Sequence, residues 1–120
     1  MNFSEGCQWI DSQQEELLSN LLQLSEINSG TNNLAGIKKV SNFFEAYFAD
    51  TADSTSIIDS VPRDHVDISG ELIREEFGNI LTFKKRSAAP LQVLLVGHMD
   101  TVFPESHSFQ SPSRIDKQTV

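Results

Sequence analysis

The sequence predicts an α/β fold in which two helices precede the strands of a mixed sheet. Three observations predict it. Apolar residues recur at helical spacing up to about residue 49, a polar segment follows, and shorter apolar runs typical of strands come after it. The chain has 120 residues, of which 38% are hydrophobic, and this is enough for one core.

The first predicted helix begins at Ser12, because Ser12 and Glu15 have the spacing of a capping box. Five leucines then form an apolar stripe that predicts a core-facing helix: Leu17, Leu18, Leu21, Leu22 and Leu24. The helix is expected to end near residues 28–30, whose side chains favour a turn. Two interpretations of Ser29-Gly30-Thr31 stay open: a turn alone, or the border of an active site.

A second helix is predicted from Asn32 or Asn33 to about Ala49. Its apolar residues have helical spacing and are mostly aromatic: Ile37, Val40, Phe44, Tyr47 and Phe48. Such a stripe predicts packing against a sheet. Residues 50–60 are polar and small, which predicts an exposed connection.

Three strands are predicted after this connection, at residues 66–68, 80–83 and 91–96. The pattern of residues 71–77 is ambiguous. Residues 86–90 are few enough for a hairpin, so the last two strands are expected to be antiparallel neighbours. The continuous apolar character of residues 93–96 predicts burial on both faces of the sheet.

The most specific chemical pattern follows the last predicted strand. There the apolar run stops at Gly97, and His98 and Asp100 occupy alternate positions. Side chains two residues apart on an extended chain point to one side, so an imidazole nitrogen can bind a metal while the carboxylate orients the ring. Gly97 has no side chain and is expected to let the backbone turn and a metal approach closely.

Residues 94–104, Leu-Leu-Val-Gly-His-Met-Asp-Thr-Val-Phe-Pro, resemble the first metal-ligand motif of the M20 family of zinc-dependent peptidases and amidohydrolases. Residues 21–37 and 78–83 are similar to other stretches of its glutamate-carboxypeptidase-like branch. By this resemblance His98 is a zinc ligand, and Asp100 is the catalytic-site acid that braces that histidine.

The resemblance implies a hydrolase that cleaves an amide or peptide bond next to a free carboxylate in a small-molecule or peptide substrate, with two zinc ions per site. The family's other ligands and its general base have no match here. Residues 1–120 are therefore expected to be the amino-terminal portion of a single metallopeptidase catalytic domain. Alone, they are expected to bind zinc weakly and to catalyse nothing. A homodimer through regions beyond Val120 is compatible with the resemblance.

Two alternatives stay open. Glu105 and His107 are close enough in sequence to His98 and Asp100 for a local metal cluster of mixed ligands. The whole chain is alternatively a non-catalytic α/β interaction module, or a degenerate fragment, that keeps the motif without its chemistry. An incomplete sheet has an unpaired strand edge, which predicts self-association.

The composition argues against some partners. The formal net charge is −8 and the nine basic residues are scattered, whereas nucleic acids and anionic membranes require clustered Lys and Arg. The single cysteine, Cys7, excludes an intrachain disulfide, and the first residues lack the pattern of a secretory signal, so a cytoplasmic location is expected. No apolar run approaches the roughly 20 residues that span a bilayer.

Overall fold

The structure is a computed structural model that describes residues 2–116 and Thr119. In this part of the chain the elements are α1 (Phe3–Ser12), α2 (Gln14–Ser25), α3 (Leu34–Phe48), β1 (Ser54–Ile58), β2 (Arg63–Val66), β3 (Leu72–Glu75) and β4 (Ile80–Lys84). The fold is therefore mixed α/β. Two compact units are present: one contains the described residues up to Ile27 and from Ser108 onward, and the other is Asn28–His107. None of the helices in the described residues has the length and apolarity that a membrane span needs.

The first helix begins earlier than the sequence pattern predicts. The Asn2 side chain accepts a hydrogen bond from the Glu5 amide at 2.9 Å, and the Glu5 carboxylate accepts one from the Asn2 amide at 2.8 Å. This reciprocal pair is a capping box. The predicted capping box at Ser12 and Glu15 is wrong, because Ser12 ends α1 and its hydroxyl donates to the Trp9 carbonyl oxygen at 2.7 Å.

The leucine stripe lies on α2, but its predicted burial is wrong. Leu17 and Leu21 are 51% and 52% exposed, and no residue of α2 is buried. The helices α1 and α2 have only 10 and 12 residues. Two helices of this length carry too little apolar surface to enclose a core.

The second predicted helix is confirmed as α3. Asn33 is its N-cap, and the Asn33 side-chain oxygen accepts a hydrogen bond from the Gly36 amide at 2.9 Å. In the described part of the chain the buried hydrophobic side chains are Ile37 and Val40, each 5% exposed, and both belong to α3. The core of the second unit is therefore small and is centred on this helix.

The aromatic stripe of α3 extends this core toward β4. The Phe48 ring contacts the Phe83 ring of β4, with centroids 4.9 Å apart, and stacks on Phe44 at 6.2 Å. Phe44 and Phe48 are half-buried, whereas Tyr47 is 42% exposed. The predicted packing of this helix against strand residues is confirmed at Phe83.

The strands form two separate two-stranded antiparallel sheets, so the predicted single mixed sheet is wrong. β1 pairs with β4, with Ser54 opposite Lys84 and Ile58 opposite Ile80. β1 lies in residues 50–60, where an exposed connection is predicted. Its Ser-Thr-Ser-Ile-Ile sequence ends in β-branched residues that favour a strand, although all five residues are exposed.

The predicted strand at residues 91–96 is also wrong. These residues have no regular secondary structure, and β4 pairs with β1 instead. All six residues are exposed, and Leu94 and Leu95 are 86% and 88% exposed. A strand that is apolar on both faces requires cover on both faces. Residues 86–90 form a turn, closed by a hydrogen bond from the Ala89 amide to the Arg86 carbonyl oxygen at 2.8 Å, but this turn makes no hairpin.

The β2–β3 hairpin turns at Asp67. Its Oδ1 accepts hydrogen bonds from the Ser69 amide at 2.8 Å, the Ser69 hydroxyl at 2.7 Å and the Glu71 amide at 2.9 Å. These bonds, the Ser69 hydroxyl first, lower the pKa of Asp67 below 3.8, its ordinary value. The predicted strand at residues 66–68 thus ends at Val66, and Ile68 is fully exposed in the turn.

We expect the amide signals of Ser69 and Glu71 to titrate in acid with a midpoint below pH 3.8. Because the folded pKa of Asp67 is lowered, its stabilisation of the turn is complete above the unfolded pKa and is lost as the pH falls through the folded pKa. NMR measures the two amides. In Asp67→Asn the acceptor oxygen has no charge to lose, so this titration should vanish. A midpoint above 3.8 in the unmodified chain would contradict the assignment.

Candidate functional site

His98 and Asp100 lie side by side in residues 97–100, which have no regular secondary structure. His98 Nδ1 is 2.7 Å from the Asp100 main-chain oxygen and 3.1 Å from Asp100 Oδ1. A carbonyl oxygen and an ionised carboxylate only accept hydrogen bonds, so Nδ1 is the donor, and in the neutral ring this tautomer leaves the lone pair on Nε2. The His98 side chain is 83% exposed, which leaves the Nε2 side of the ring open to a ligand.

The second oxygen of the Asp100 carboxylate is also held. The Thr31 hydroxyl donates to Asp100 Oδ2 at 2.7 Å, while Oδ1 faces the His98 ring. The hydrogen bond from Thr31 is the largest cause that lowers the pKa of Asp100 below 3.8, and the contact with His98 adds to it. Asp100 is therefore ionised throughout the neutral range.

Thr31 reaches Asp100 because two distant segments, residues 28–33 and 100–105, are bonded to each other. Gly30 and Thr101 form a parallel β-bridge. The bridge includes the bond from the Thr101 amide to the Ser29 carbonyl oxygen at 2.8 Å. Two further hydrogen bonds join the segments: Asn28 Nδ2 to the Phe103 carbonyl oxygen at 3.1 Å, and Asn33 Nδ2 to Glu105 Oε1 at 3.0 Å. We call this pair of segments the docked loops.

Two glycines permit the close approach of the backbone here. A Cβ atom on Gly30 would lie 2.7 Å from the Phe103 carbonyl oxygen, and one on Gly36 would overlap the Asn28 carbonyl oxygen. The Asn33 amide donates to the Gly30 carbonyl oxygen at 2.6 Å and closes a turn. The turn therefore spans residues 30–33, and it borders the candidate site because Thr31 contacts Asp100.

A cleft of about 480 Å³ opens beside the histidine within the second unit. Its lining combines apolar side chains of α3 and β4 with the motif residues, and includes Ile37, Phe44, Phe83, Leu95, His98 and Asp100. This volume falls in the range of small-molecule sites, which are mostly apolar with a few placed polar groups. The cleft can accept a ligand whose polar end meets the motif.

The alternative cluster of His98, Asp100, Glu105 and His107 is not assembled. The Glu105 carboxylate accepts a hydrogen bond from Asn33, and the His107 ring packs on Phe103 with centroids 4.7 Å apart. Within residues 2–116 and 119, no group of three or more His, Cys, Asp and Glu side chains could hold a metal ion. The residues at the motif fit one nitrogen ligand with its orienting carboxylate, and a catalytic zinc has three protein ligands.

The structure assigns no sharp turn to Gly97. Its φ is outside the left-handed region, and a Cβ atom there would meet nothing within 4 Å. The expected room for a ligand beside Gly97 is therefore present, whereas the expected turn of the backbone at this glycine is not.

The sequence pattern brings His98 and Asp100 together and leaves Thr31 open as a site border, but it assigns no role in the site to Asn28 and Asn33. Asn28 and Asn33 join the docked loops, and Thr31 joins the carboxylate. The available signal was the density of short polar residues in Asn28-Ser-Gly-Thr-Asn-Asn33, more than one turn needs.

Comparison of the chain with protein-family models, with curated protein sequences and with solved structures finds no match. The resemblance of residues 94–104, 21–37 and 78–83 to the M20 family therefore stays a prediction from the sequence.

We expect Gly30→Ala to lower the free energy of unfolding by about 1–3 kcal/mol, because its new methyl group overlaps the Phe103 carbonyl oxygen. Gly97→Ala is the matched control. It meets no atom within 4 Å and should change stability by less than about 1 kcal/mol. Denaturant unfolding followed by circular dichroism measures both variants. Equal stability of the two variants would contradict the close packing of the docked loops.

Proposed function

We propose that this chain supplies the first metal ligand of a metal-dependent hydrolase of the M20 type, with His98 as the ligand and Asp100 as the group that orients it. One observation carries the proposal: His98 Nδ1 faces two oxygen acceptors while the Nε2 side of the ring is open. Histidines that bind metals almost always donate their other ring N–H to a carboxylate or a carbonyl oxygen. Here both kinds of acceptor are in place.

The surrounding residues prepare this ring for a divalent cation. With Nδ1 facing the Asp100 oxygens, Nε2 is directed away from them, and the Asp100 carboxylate orients the ring. Imidazole is a ligand that suits zinc. When bound, zinc supplies Lewis-acid polarisation of a carbonyl group.

The substrate class follows from the family resemblance and the cleft. The apolar part of the cleft, formed by side chains such as Ile37 and Phe44, suits the acyl portion of a peptide or an acyl-amino acid. A substrate with a free carboxylate next to the scissile amide rests on the family resemblance alone, and on residues 28–31 and 103–104 in particular. The same proposal includes two zinc ions per site and further metal ligands in addition to His98.

We expect His98→Ala to abolish zinc-dependent hydrolysis of an N-acyl amino acid by the polypeptide that carries this chain with its remaining ligands. In residues 1–120 alone, zinc should bind weakly and shift the NMR ring signals of His98 but not those of His65. His65→Ala is the control and should leave turnover unchanged. Full activity without the His98 ring would refute the assignment.

A second candidate function is supported by a different observation. The apolar run at residues 91–96 is exposed along its whole length, with Leu94 and Leu95 more than four-fifths exposed. An exposed, extended apolar segment can add a strand to the sheet of another molecule. This favours the alternative of a non-catalytic interaction module. The partner that we propose is a second copy of this chain.

We expect residues 1–120 to self-associate at about 100 µM through this apolar run. The double variant Val93→Lys and Leu95→Lys should shift the chain toward the monomer, because charged residues prevent pairing of strand edges. Sedimentation velocity measures the shift. Ile68→Lys, at another exposed apolar residue, is the control. A monomeric unmodified chain at this concentration would exclude self-association as the function of the run.

A further inference from the structure

We propose that Thr31 is a positioning residue for the metal ligand: its hydroxyl group fixes the Asp100 carboxylate, and the carboxylate fixes the His98 ring. This inference rests on the proposed role of His98 as a ligand. It adds a residue that neither the motif nor the family resemblance assigns to the site. The ion that the site would bind is the divalent cation of the proposed function.

The geometry forms a relay of two contacts. Thr31 Oγ1 donates to Asp100 Oδ2 at 2.7 Å, and Asp100 Oδ1 lies 3.1 Å from His98 Nδ1. A carboxylate that is held at both oxygens cannot rotate about its side-chain bonds without breaking one of these contacts. Because the Asp100 side chain is 38% exposed, solvent would compete for an oxygen that Thr31 releases.

Thr31 can act in this way because its own backbone is fixed. Ser29, two residues earlier, is only 2% exposed, and its carbonyl oxygen accepts a hydrogen bond from the Thr101 amide at 2.8 Å. The hydrogen bond from the Asn33 amide to the Gly30 carbonyl oxygen closes the turn around Thr31.

The docked loops do not depend on the Thr31 hydroxyl. The bond between Thr101 and Ser29 and the two asparagine bonds, from Asn28 and from Asn33, remain when that hydroxyl is removed. A variant without it should therefore keep the fold but release the carboxylate. This separation makes a positioning role distinguishable from a structural one.

The test compares Thr31→Val, which replaces the hydroxyl with a methyl group, with Thr31→Ser, which keeps the hydroxyl. Thr55→Val, on the exposed face of β1, is the matched control. Zinc is titrated into each chain and followed by the His98 ring signals. We expect Thr31→Val to weaken zinc binding about 10- to 100-fold, and Thr31→Ser and Thr55→Val to bind like the unmodified chain.

A second measurement needs no metal. The NMR couplings of the Asp100 β-protons should report one rotamer in the unmodified chain and in Thr31→Ser, and rotamer averaging in Thr31→Val. If Thr31→Val keeps both the Asp100 rotamer and the zinc affinity, the inference about Thr31 fails and the proposed function is untouched. The same holds if Thr31→Ser loses as much zinc affinity as Thr31→Val, or if Thr31→Val has a lower denaturation midpoint. If the unmodified chain shows no zinc effect on His98, the proposed function itself fails, whatever Thr31 does.

Discussion

The candidate site depends on the hydrogen-bonded contact between the docked loops. The Thr101 amide and the Ser29 carbonyl oxygen, 2.8 Å apart, join segments near the start and the end of the second unit in the sequence. Ser29 is buried, so its carbonyl oxygen would be costly to leave without a donor. Once the Gly30–Thr101 bridge that includes this bond forms, Asp100 is placed against Thr31, and the orientation of the His98 ring follows.

Local features of the fold are predictable from the sequence. Features that require burial against distant residues are not. Asn33 and the apolar spacing after it identify α3 because capping and amphipathicity act within a few residues. The same reasoning places a capping box at Ser12, whereas the chain uses Asn2, because identical spacing does not show which box is formed. The apolar run at residues 91–96 predicts a buried strand, yet these residues are exposed. Burial of a segment depends on packing partners that its own sequence does not specify.

The same distinction applies to the site. His98 and Asp100 are two residues apart, so an extended backbone brings them together and the pair is visible in the sequence. Thr31 and Asp100 are 69 residues apart, and no local rule connects them. The sequence therefore leaves residues 29–31 open between a turn and a site border, and only the three-dimensional contact shows that one segment serves both purposes.

The separation of these partners also has a kinetic consequence. The contacts that orient the histidine span 69 to 75 residues, so the chain must close loops of that length before they form. Contacts of such high sequence separation slow folding. Cation affinity would therefore report on whether these long-range contacts have formed.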